Sequence, residues 1–103
     1  MQLAHRRQGD TLVVRLMGEL DHHQANSARQ GLDQLLADTS VKQLVLDMQG
    51  VGFMDSAGIG VIMGRYKLLA QRGGKVAVRG VNPRMDRIFK MSGLYRIVEK
   101  INA

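Results

Sequence analysis

Three short runs dense in Val, Leu and Met, at residues 11–17, 41–48 and 75–79, alternate with longer stretches whose apolar residues recur every three or four positions. This alternation constrains the fold more than any other feature of the chain. A strand followed by a helix and another strand closes most simply as a crossover between parallel neighbours. With 103 residues, the chain holds one such domain on a scale of roughly 100–200 residues per domain. The expectation is an α/β fold in which a small mixed β-sheet with parallel inner strands carries helices packed against it.

Individual segments sharpen this. Gln2–Ala4 reads as an edge strand, hairpinned through Gly9-Asp10 to the strand at 11–17. Asp21, with Gln24 three residues on, has the spacing of a capping box. Ala25, Ala28, Leu32, Leu35 and Leu36 then predict an amphipathic helix over 22–37. The run 41–48 reads as a strand apolar enough to be buried on both faces, followed by a loop over 49–54. Ile59, Ile62, Met63, Tyr66 and Leu69 mark a second helix that opens at Asp55-Ser56 and ends at Gly73-Gly74. After the strand at 75–79, Asn82-Pro83 opens a third helix, with proline at its first position. Met85, Ile88, Phe89 and Met91 form its apolar face and Ser92-Gly93 closes it, leaving a short final strand at Tyr95–Val98.

Charge is unevenly placed. Residues 1–64 hold five basic and seven acidic side chains, whereas residues 65–103 hold ten basic and two acidic ones. Such asymmetry fits nucleic acid, an anionic membrane or an acidic protein. The only aromatics in the basic half are Tyr66, Phe89 and Tyr95, and no stacking motif of an RNA-binding module accompanies them. Charge alone supplies only nonspecific nucleic-acid binding, so no direct nucleic-acid partner is expected and a protein partner is the better match. The chain has no cysteine, which removes disulfides and thiolate metal sites. No apolar run approaches the roughly 20 residues that span a bilayer, and no signal-peptide pattern opens the chain. A soluble, cytoplasmic protein without a membrane partner is expected.

Several motifs invite catalytic readings. Asp21-His22-His23 resembles a metal-site fragment, but adjacent helical residues point about 100° apart, and a helix cap with exposed histidines explains it better. Gly58, Gly60 and Gly64 miss the G-x-G-x-x-G spacing by one residue, and no P-loop is present. These glycines are expected to let a helix approach the sheet. Ser56 lies where a strand-to-helix turn of an α/β sheet presents ligand sites. It lacks a nucleophile elbow, so it is either a helix cap, shared with Asp55 as the alternative, or an acceptor for chemistry supplied by another protein.

Three segments carry a resemblance: Gly18-Glu19-Leu20-Asp21-His22-His23, the long block from Phe53 through Met54-Asp55-Ser56-Ala57-Gly58 to Lys67, and Phe89-Lys90-Met91-Ser92-Gly93-Leu94. They resemble the bacterial sporulation anti-sigma factor antagonists, which are STAS domains, in register from about residue 3 to residue 100. The resemblance implies a single STAS domain over 1–103 that is not an enzyme. It implies binding to an anti-sigma factor serine kinase, release of the sporulation sigma factor, phosphorylation at Ser56 and reversal by a serine phosphatase. ATP would be bound by the kinase, so no cofactor is expected here, and no metal. Asp21, Asp55, Ser56, Ala57 and Gly58 are the implied partner-binding residues, and the free protein is expected to be a monomer. Where the family commonly has two serines, this chain has Ser56-Ala57, which leaves the first acceptor intact. An antagonist of a stress-response sigma factor and a nucleotide-binding STAS module are the alternatives.

Overall fold

A computed structural model describes residues 1–101. Gly9, at φ 60°, closes a two-residue turn between β1 (Gln2–Gln8) and β2 (Thr11–Leu20), which pair antiparallel. Two central residues, one with positive φ, give the twist that a tight hairpin needs. The chain continues through α1 (Ala25–Leu36), β3 (Gln43–Met54), α2 (Ser56–Gln71), β4 (Lys75–Arg79) and α3 (Pro83–Met91). A 3-10 turn at Leu94–Arg96 leads to β5 (Glu99–Lys100). The sheet order is β1-β2-β3-β4-β5, with every pair after the first hairpin parallel. The mixed sheet with parallel inner strands is therefore as the alternation of segments implies.

Side-chain alternation along the strands sorts the two faces. Leu12, Val14 and Leu16 of β2, Leu44, Leu46 and Met48 of β3, and Val76 and Val78 of β4 share one core. Ala28, Leu32 and Leu36 of α1, Val61, Ile62 and Leu69 of α2, and Met85 and Phe89 of α3 complete it. Each fully buried Leu or Phe contributes about 1.5–3 kcal/mol by leaving water. The opposite face has only a small patch of Val13, Val45 and Ala77, with Ile101 against it.

Several boundaries differ from the sequence expectation. β1 extends to Gln8 because the hairpin register continues to Gln8–Thr11. β3 absorbs the stretch 49–54 expected as a loop, since Gly50, Val51 and Met54 pair with Met17, Gly18 and Leu20 of β2 across two register shifts. α1 starts at Ala25 rather than at residue 22, after a turn at 22–24. Only half of the capping box forms: Asp21 Oδ1 accepts from the Gln24 amide, but the Gln24 side chain accepts from the Met1 ammonium instead of reaching back, and Gln24 rather than Asp21 is the N-cap of α1. The expected strand at Tyr95–Val98 is replaced by the 3-10 turn and the two-residue β5. Gly93, at φ 79°, turns the chain, and the Tyr95 hydroxyl is anchored on Asp86 of α3 at 2.6 Å. Met91 is 81% exposed instead of joining the apolar face of α3. It lies two residues beyond Phe89, about 200° around the helix.

Candidate functional site

Parallel pairing of β2 and β3 puts their carboxyl ends side by side, with Leu20 opposite Met54. The residues that follow, Asp21 and Asp55, therefore share one edge of the sheet. Their carboxylates have similar work. One Asp21 oxygen accepts from the amides of His23 and Gln24, both at 3.0 Å. Asp55 is the N-cap of α2: its Oδ1 accepts from the amides of Ala57 at 2.9 Å and Gly58 at 3.4 Å. Its Oδ2 crosses to the other turn, accepting from the His22 amide at 3.1 Å and lying 3.4 Å from His22 Nδ1. Burial raises the Asp55 carboxyl, but the bonds from His22, Ala57 and Gly58 outweigh it and hold the group below its ordinary value. Asp55 thus stitches the two strand-to-helix turns together.

The cap assignment decides the place of Ser56. With Asp55 satisfying the first free amides of the helix, Ser56 is the first helical residue and is exposed. Its hydroxyl is not required for the cap, so of the two cap candidates it is Asp55 that serves. Ala57 is half-buried beside it. Gly58 is buried, and a Cβ there would lie 2.4 Å from the Leu20 carbonyl oxygen and 2.5 Å from Met54 Cγ. Of the five implied residues, Asp21, Asp55, Ser56 and Ala57 come together at the surface, while Gly58 lies beneath them as the residue that lets α2 reach the end of β2.

Two exposed apolar residues were not read as surface from the sequence. Phe53 is 41% exposed and Met63 is 38% exposed. Met63 lies seven residues after Ser56, two turns along the same helix face. The helical spacing assigned it to the core, but the buried side of α2 runs through Gly58, Val61, Ile62, Arg65 and Leu69. Arg65, on the same side of the helix, is buried at 8% exposure.

His22 and His23 are exposed, with ring centroids 4.0 Å apart. Among the described residues, no group of three His, Cys, Asp or Glu side chains is placed to hold a metal ion. No described helix is long and apolar enough to cross a membrane.

Comparison with known proteins places this architecture. The chain is 44% identical over 98 residues to the anti-sigma F factor antagonist of Paenibacillus polymyxa, covering 95% of this chain and 82% of that one. It is 30% identical over 88 residues to the anti-sigma-B factor antagonist of Bacillus subtilis, covering 85% and 79% of the two chains. Among solved structures, the unphosphorylated anti-sigma factor antagonist SpoIIAA matches with a TM-score of 0.77 and 25% identity, over 99% of this chain and 89% of that one. The phosphorylated form of Bacillus SpoIIAA matches with a TM-score of 0.74 and 28% identity, over 97% and 91% of the two chains. The sequence pattern of the STAS domain matches residues 2–103, and with the five-stranded mixed sheet and its three helices the chain belongs to the STAS domain family.

Proposed function

We propose that this protein is an anti-sigma factor antagonist regulated by phosphorylation of Ser56. Unmodified, it binds an anti-sigma factor that is also a serine kinase and so frees the sigma factor. The kinase, using its own bound ATP, phosphorylates Ser56 and releases the antagonist, and a serine phosphatase restores it. The protein itself catalyses nothing and acts as a cytoplasmic monomer between partners. The observation that carries this reading is the division of labour at α2: Asp55 caps the helix and leaves Ser56 exposed as its first residue.

The physics of that position supports a switch without refolding. A phosphate adds about −1.5 to −2 charges near neutral pH, and the amino end of a helix favours an anion. The same charge would sit beside the carboxylates of Asp21 and Asp55, making a mixed polar surface strongly negative. Binding is then lost through charge and bulk at the interface. Identity of 44% to an anti-sigma F antagonist, against 30% to an anti-sigma-B antagonist, favours the sporulation type of sigma factor over the stress type.

The test is incubation with a candidate anti-sigma kinase and ATP, followed by mass mapping. A single phosphate on Ser56, absent from Ser56→Ala, is the expected result. No modification, together with no complex in ADP, would overturn the reading. Amide spectra of the two forms should differ only near Ser56; shifts spread through the sheet would contradict an interface mechanism. Asp21→Asn keeps acceptors for the His23 and Gln24 amides and removes only charge. It should weaken kinase binding, and wild-type behaviour would take Asp21 off the partner face.

A further inference from the structure

Arg65 is an uncommon residue for the inner side of a helix. Its side chain is only 10% exposed, and its Nε lies 3.2 Å from Asp33 Oδ1 on α1. That contact is not aligned as a hydrogen bond: Nε and Nη1 are both buried and have no hydrogen-bond partner. A buried charged donor without a partner is costly, because it has given up water and gained no acceptor. Burial pulls the guanidinium below its usual pKa, Asp33 opposes this, and the neighbouring Arg29 of α1 adds to the depression. Two cations thus face one carboxylate, and Asp33 is itself nearly half exposed.

The arginine lines a hollow of about 300 Å³ between the amino-terminal halves of α1 and α2. His22, Asn26, Arg29, Ala57 and Gly60 lie around it, and none of its lining residues is acidic. The roof is open, because a Cβ at Gly60 would meet nothing within 4 Å. Ala57 in the wall directly follows Ser56, and Gly60 is one turn further along the helix, so a protein that covers Ser56 also covers this hollow.

We infer that the hollow between α1 and α2 is a docking site for an acidic side chain of the partner kinase, with Arg65 and Arg29 as its cationic walls. This rests on the proposed function and adds an anchor separate from the phosphorylated residue. One carboxylate balances the excess of one positive charge, its two oxygens suit the exposed guanidinium of Arg29 at the rim, and Arg65 adds its charge from the wall. A charge pair desolvated at the centre of an interface is where binding energy concentrates.

The experiment compares binding of wild type, Arg29→Glu and Arg15→Glu to a candidate anti-sigma kinase in ADP, alongside Ser56 phosphorylation. Arg29→Glu places a resident carboxylate against Arg65, and should weaken the complex at least about tenfold while the amide spectrum stays folded. Arg15 is exposed on the sheet face turned away from the helices, so its reversal alters net charge equally and should change binding less than about twofold. Binding to Arg29→Glu should be regained when the matching acidic residue of the kinase is reversed to Arg. Unchanged binding of Arg29→Glu, with normal phosphorylation of Ser56, overturns the docking site and spares the proposed function. Equal losses in the two variants also overturn it, as a general charge effect. A wild-type protein that neither binds nor is phosphorylated overturns both.

Discussion

The turns after β2 and β3 begin from the same chemistry and end differently. Each has an aspartate at the carboxyl end of a parallel strand, and each aspartate accepts backbone amides from the residues that follow. After Asp21 the chain makes a further turn before α1 starts, so its first helical residues stand away from the sheet edge. After Asp55 the helix begins at once, and Gly58 lets it press on the end of β2. One turn is therefore a fixed platform that presents a hydroxyl, whereas the other is a flanking support tied to it through His22. A modifying enzyme needs its acceptor in one position, and the capped, tightly packed turn supplies that position.

That contrast can be broken most forcefully at Gly58. A Cβ there would lie 2.4 Å from the Leu20 carbonyl oxygen, which belongs to the sheet and cannot swing aside. Gly58→Ala should cost about 1–3 kcal/mol in urea unfolding, and Gly58→Val more. Gln24, at the equivalent place after Asp21, is half-buried, and among the described residues its side chain bonds only the Met1 ammonium; Gln24→Ala should stay within about 0.5 kcal/mol.

Next comes the pair of aspartates. Asp55→Ala should lower Tm more than Asp21→Ala, since it removes the helix cap and the link to His22 together. The folded pKa of Asp55 lies below its unfolded value. Its contribution is therefore full above about pH 4, the ordinary carboxylate range, and is lost as pH falls through the folded value. Thermal melts across that window should converge for wild type and Asp55→Ala as acid is added. A constant gap would deny the carboxylate its role as the stitch.

Smaller effects test the open roof and the acceptor. Gly60→Ala meets no neighbour within 4 Å and should stabilise α2 by about 0.5–1 kcal/mol. A loss of stability would mean that the hollow is closed in solution. Ser56→Ala should leave unfolding within about 0.5 kcal/mol of wild type, because Asp55 and not Ser56 is the cap. A larger loss would return the serine to a structural role.

Much of this was legible in the residues. Runs of Val and Leu separated by helical spacing implied the parallel inner sheet, and Asn82-Pro83 marked the start of α3, where Asn82 Oδ1 accepts from the Met85 amide at 2.8 Å. What misled was apolar periodicity without partners. Met63 and Met91 continue helical stripes in sequence yet face solvent, because a stripe does not reveal where the neighbouring element ends. The segment 49–54 read as a loop for the opposite reason. Its glycines and Gln49 break the strand pattern, but pairing with β2 holds it extended.

The order of strands and helices, the aspartate and serine at the second strand-to-helix turn, and the glycine that must follow them are written in the residues alone. These are local properties of backbone freedom, capping and periodicity, and they need no distant partner. Packing, by contrast, made Asp55 and not Ser56 the cap of α2, bound His22 to it across 33 positions, and enclosed Arg65 between two helices with its charge incompletely answered. Those outcomes depend on which elements lie side by side, and a carboxylate or a guanidinium acquires its role from the groups that packing sets around it.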